Sequence, residues 1–143
     1  MSFTSDMPRH KNKTYATFLA AIFGSIGGHR FYLRGMSDAL GWAHIAALPL
    51  ALMMVLLWPD QPVFFLALPV VVSALLALLE AIVIGLTPDE KWDVHYNPGS
   101  GRSTKSGWPL AALLVLTFGA GAIGLITVIA RSFDLLFTGG AYG

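Results

Sequence analysis

The sequence predicts an all-α polytopic membrane protein: a helical bundle of three transmembrane helices preceded by a short N-terminal membrane helix. Three observations predict it. Of 143 residues 55% are hydrophobic and only 12% charged, with a mean hydropathy of +0.66, outside the range of soluble domains. The apolar residues gather into four runs, three of them long enough to cross a hydrocarbon core of about 30 Å, which takes roughly 20 helical residues. Backbone amides in lipid must be bonded within their own segment, which makes such runs helices rather than open strands. The formal charge of +1 gives no basic field for nucleic acid. There is no cysteine, which removes disulfides, thiolate nucleophiles and thiolate-held metals.

The first run, Thr14 to Ile26, is too short to span unless it continues through "GGHR" and carries His29 and Arg30 into the bilayer. It is read as a short, tilted or re-entrant helix whose end is covered by protein. Arg9, Lys11 and Lys13 before it imitate a secretory leader, but "GSIGGHRFYLR" follows where a small-residue cleavage site would stand. The second and third runs, Ala39 to Trp58 and Val63 to Leu86, are joined by "WPDQP" at 58–62, a tight turn that makes them an antiparallel hairpin. Pro49 and Pro69 each remove an intrahelical hydrogen bond and are expected to bend these helices. "TPDE" at 87–90 reads as a helix start, with Thr87 as N-cap, Pro88 in the first position and Glu90 closing a capping box. This capped helix, at 87–97, would place Trp92 and Tyr96 on one face as interface anchors at headgroup level. Residues 98–107 read as a flexible basic linker. The fourth run, Trp108 to about Ala130, opens a C-terminal unit, 108–143, of one transmembrane helix and a tail. Residues 1–97 form the main membrane domain.

The nine Lys and Arg residues set the expected topology, because basic residues collect in cytoplasmic loops. Loops 27–38 and 87–107 hold Arg30, Arg34, Lys91, Arg102 and Lys105, and the 58–62 turn holds none. Both loops are therefore expected in the cytoplasm, with the chain multi-pass in the cell (inner) membrane. A first helix that does not cross adds Arg9, Lys11 and Lys13 to the same side, and the charge rule favours that arrangement.

Glu80 is the conspicuous intramembrane charge, six residues or about 9 Å short of the end of its run. Acids at such depth face the bundle interior with a partner. Arg30 is the natural partner, with His29 or Arg34 as substitutes, giving an intramembrane ion pair. As a structural clasp the pair would fix helix register. Two sharper readings are a proton- or ion-coupled switch, with Asp38 and His44 the nearby polar candidates, and pairing with another subunit or with lipid. Ala20, Gly24 and Gly28 form a four-residue stripe of small side chains suited to close helix packing, internal or between copies.

"GAGAIG" at 119–124 copies a dinucleotide fingerprint but lies inside an apolar helix rather than after a strand. Asp89, Glu90, Asp93 and His95 fit helix capping and solvation better than a metal shell. No catalytic triad, nucleophile elbow or phosphate loop is present. No catalytic residue, metal or cofactor is therefore expected.

"KTYATFLAAIFGSIGGHRFYLRG" and "LLEAIVIGLTPDEKWDVHYN", in that order, resemble the two conserved ends of the TM2 domain family in its bacterial form. That family has two transmembrane helices joined by a short polar turn, and the resemblance covers about residues 13–97. Arg34 stands where the family usually has glycine, the stretch 45–70 is longer than in compact members, and 98–143 lies outside the resemblance. It implies architecture, with the polar turn on the cytoplasmic side and the first helix counted as spanning, and it implies no reaction for Glu80 or Arg30. The leading expectation is a non-enzymatic membrane scaffold or accessory subunit, contacting lipids and a protein partner or a second copy through the glycine stripe and the two cytoplasmic loops. Two alternatives are a small oligomeric transporter or proton-coupled channel built around Glu80, and a lipid-responsive protein using Trp92, Tyr96 and the basic linker.

Overall fold

The computed structural model describes residues 8–142. Among them every regular element is helical: α1 (Lys13–Phe23), a 3-10 turn (Gly24–Ile26), α2 (Gly28–Arg34), α3 (Ala39–Leu57), α4 (Val63–Leu86), α5 (Asp89–Tyr96) and α6 (Trp108–Thr138). Three of these, α3, α4 and α6, are long and apolar enough to cross a membrane. Their outward faces carry large apolar side chains such as Leu56, Val63, Leu116 and Phe118, as hydrocarbon surroundings require.

Helix α4 is the hub, packed by α1, α3, α6 and the 3-10 turn. The α1 contact is made with small residues. Ala16 and Ala20 on α1 and Ala77 and Ala81 on α4 are all buried, and a Cβ added to Gly24 would stand 2.5 Å from that of Ala77. Backbones this close gain dispersion contacts, the principal association force between helices in lipid.

At Gly27 the chain turns back. Its φ of +74° is a left-handed conformation that glycine adopts without strain, and an added Cβ would meet the Gly41 carbonyl at 2.6 Å. Helix α2 then returns toward the start of α1: the Lys11 ammonium donates to the Leu33 carbonyl at 2.5 Å, and the Tyr32 hydroxyl accepts from the Asn12 amide at 3.0 Å. Both ends of the α1–α2 unit therefore lie at one end of α4, where Lys13 donates to the Thr87 carbonyl at 2.8 Å. The turn between them dips to the level of Ser73, whose hydroxyl donates to Ser25 O at 2.9 Å.

This geometry corrects several expectations. Of Ala20, Gly24 and Gly28, the first two are buried, with Gly24 against Ala77 of α4, whereas Gly28 lies beyond the left-handed Gly27 at the start of α2. Residues 28–34 of the 27–38 loop are helical. Thr87 is not an N-cap: its hydroxyl donates back to Val83 O at 2.7 Å, and α5 starts at Asp89 after Pro88 with no side-chain cap. Segment 98–107 is tied rather than free, because Asp93 accepts from the Thr104 amide at 2.6 Å and Asp89 from the Ser106 amide at 2.8 Å. Helix α6 runs on to Thr138, past Arg131. Arg131 and Asp134, one turn apart, neutralise each other there, and Ser132 and Thr138 return their hydroxyl protons to the preceding turn.

Candidate functional site

Two polar assemblies stand out, one inside the bundle and one at its end. The inner one is built on Glu80. Its carboxylate receives Arg30 through Nη2 and, at 3.2 Å, through Nε. His29 Nε2 lies 2.5 Å from Oε2. The structure thus brings Glu80 together with both Arg30 and His29, which leave α2 one residue apart. Arg34 is not part of this contact. It points outward with a half-exposed side chain, 3.9 Å from Asp38.

Asp38 and His44 complete the cluster. Asp38 caps α3 by accepting from the Gly41 amide at 2.9 Å, and the same carboxylate oxygen takes Arg30 Nη1 at 3.3 Å. One guanidinium therefore bridges the start of α3 to the C-terminal third of α4. His44 is buried, with Nε2 3.5 Å from Glu80 Oε2 and Nδ1 2.7 Å from the Ser73 hydroxyl. The Glu80 and Arg30 side chains are 25% and 16% exposed, so this is a partly desolvated network in which each charge is held by several hydrogen bonds. Breaking one member of such a network costs far more than breaking a surface pair.

An apolar groove of about 660 Å³ runs between α3 and α4, and Arg30, His44, Ser73 and Glu80 line its polar end. A second cleft, of about 510 Å³, lies between α4 and α6 and is lined by aliphatic side chains, Phe118 and glycine.

The end assembly joins residues 8–13, α5 and the 97–106 segment. Lys13, 3% exposed, pairs with Asp89. Burial works to raise the Asp89 pKa, but hydrogen bonds from Lys13 and Ser106 outweigh it and hold the carboxyl at about 2. Asp93 is also lowered, first by the Thr104 hydroxyl and then by Asn97. The Asn97 side chain accepts from the Lys11 amide at 2.6 Å and donates to Lys11 O at 3.1 Å. Trp92 and Tyr96, expected to face headgroups, turn inward instead. Trp92 is 1% exposed and packs with Ala16 and Leu33, its indole N–H donates to Lys11 O at 3.1 Å, and partly buried Tyr96 lies against it at 4.4 Å between ring centroids. The physical reason is the returning N-terminal segment, which covers this face of α5.

Sequence reasoning counted Lys13 only as a basic flank. Its burial depends on Asp89 lying 76 residues away, and no local pattern signals that pairing. The Ser25–Ser73–His44 link is equally non-local. His44 was among the polar candidates near Glu80 because it stands in an otherwise apolar span, but its link to Ser73 was not.

Fold and site together describe an all-helical protein with three helices long and apolar enough to cross a membrane and a polar cluster held among α2, α3 and α4. Compared with known proteins, the chain matches no family model, no curated protein and no solved structure.

Proposed function

We propose that this chain is a non-enzymatic integral membrane scaffold, an accessory subunit of a complex in the cytoplasmic membrane, built around a TM2-like re-entrant unit and hairpin. The observation that carries this reading is how the charges are used. Glu80, Arg30 and Asp38 are spent on one another across three helices, a use of charge that supports a structural role. At the end of the bundle, α5 and the 97–106 segment are held in one shape by Lys13, Trp92, Asp93 and Asn97. That platform, at the expected cytoplasmic side, offers a partner a surface that requires little ordering on binding.

The test is residue-specific photocrosslinking in native membranes from positions on that platform, such as Glu90, Val94 and His95, together with mass determination after mild extraction. One discrete crosslinked assembly, lost when Val94 is replaced by Glu, is the expected result. Lone monomers from every position would overturn the proposal.

One observation favours a second reading, a small oligomeric transporter or proton-coupled channel. The groove between α3 and α4 opens beside Glu80. Proton flux in proteoliposomes that disappears in a folded Glu80→Gln variant would replace the scaffold reading, and absence of flux in the parent protein would remove the alternative.

A further inference from the structure

From the hydrogen-bond bookkeeping around Glu80, we infer that the α3–α4 groove is a binding site for a membrane lipid whose headgroup ends in a primary ammonium. Ser73 has a single hydroxyl proton, and it goes to the Ser25 carbonyl. Ser73 Oγ must therefore accept from His44 Nδ1, 2.7 Å away, which places the proton of a neutral His44 on Nδ1. Its Nε2 then presents a bare lone pair to the Glu80 carboxylate at 3.5 Å. Two acceptors face each other with no hydrogen between them.

His29 does not supply the missing donor. Its Nε2–H is committed to Glu80, and its Nδ1 is buried with no hydrogen-bonding partner in the protein. Glu80 and Asp38 share the one inward guanidinium, that of Arg30, while Arg34 reaches Asp38 only from its exposed side. With the His44 proton on Nδ1, the cluster lacks an N–H donor between His44 Nε2 and Glu80, and a cationic donor suits a place where two carboxylates share one guanidinium.

That place is the polar end of the groove. Beyond it the groove is walled by aliphatic and aromatic side chains of α3 and α4 as far as Phe65, fifteen residues or about 22 Å from Glu80 along the helix. A primary ammonium on the groove side of His44 Nε2 and Glu80 Oε2, which are 3.5 Å apart, would donate one N–H to each, and an acyl chain would follow the apolar wall. A quaternary ammonium has the charge without the N–H, and a glycerol headgroup has hydroxyl donors without the charge.

The experiment uses the full-length protein in vesicles made of equal parts phosphatidylethanolamine, phosphatidylcholine and phosphatidylglycerol with identical acyl chains. Lipids retained after detergent extraction are counted by native mass spectrometry. Phosphatidylethanolamine should be retained about tenfold over the other two, the loss expected when a hydrogen bond to a charged group cannot form. His44→Phe should abolish the preference, and because it also removes the bond to Ser73 its lipid retention is read on protein shown to be folded by its thermal transition. Ser73→Ala, which frees His44 to put its proton on Nε2, should do the same through a different atom and keeps the test open if His44→Phe does not fold. Equal retention of the three lipids, or a preference that survives both variants, would overturn the inference.

Discussion

Glu80 takes hydrogen bonds from two adjacent residues of α2, so its replacement tests the whole cluster. Glu80→Gln keeps the shape but removes the charge opposite Arg30, and it is expected to cost about 1–3 kcal/mol, below the range for a fully buried pair because the cluster is partly exposed. Arg34→Ala should change stability by no more than about 0.5 kcal/mol, since its contact with Asp38 is long, at 3.9 Å, and the Arg34 side chain is half exposed. Thermal unfolding of both variants in the same detergent tests whether Arg34, the substitute partner expected from sequence, takes any part in holding Glu80. Asp89 supplies a pH test. Its folded pKa of about 2 lies below its ordinary value of 3.8, so the unfolded chain binds the proton more readily. The stabilisation it gives is complete above about pH 4 and is lost as pH falls toward 2. The Ser106 amide, bonded to Asp89, should report that release as an NMR shift with a midpoint near 2. A midpoint near 4 would show that the Lys13 and Ser106 contacts do not hold in solution.

Between elements, the α1–α4 contact is set at Gly24. Gly24→Ala would place a methyl group 2.5 Å from the Ala77 Cβ, and overpacking of that kind costs about 1–3 kcal/mol. Adding Ala77→Gly in the same chain should recover most of the loss. Additive losses in the double variant would mean that the two residues do not touch. The long helices were legible because length and apolar content alone define them: α3 ends one residue before the expected Trp58, and α4 has the expected limits. The ends of α5 and α6 were not. The capping pattern at Thr87 satisfied a local rule, but the hydroxyl had a nearer acceptor in Val83 O. The α6 run looked finished at Arg131 because a lone cation stops an apolar pattern, and the compensating Asp134 lies one turn further on.

For the whole molecule, the α1–α2 unit begins and ends at the same end of α4, and with the charge rule this predicts that residues 9 and 102 share the cytoplasmic side while residue 60 is opposite. The absence of cysteine makes the measurement direct. Single cysteines at Arg9, Asp60 and Arg102, labelled with an impermeant thiol reagent in intact cells, should react only at position 60. Reaction at position 9 would mean that the first segment crosses. The Glu80–Arg30 meeting could be expected from sequence because an acid inside a span demands a base, and the loop at the same expected end carries Arg30. The end assembly could not, since Lys13, Trp92 and Asn97 become partners only after α1 and α2 fold back on themselves. Helix α6 has 31 residues against 24 in α4, about 46 Å against about 36 Å. In a bilayer matched to α4, the longer rod must either lean or project. A change in membrane thickness would therefore act first on its angle, making the C-terminal end of the chain a gauge of the sheet in which it sits.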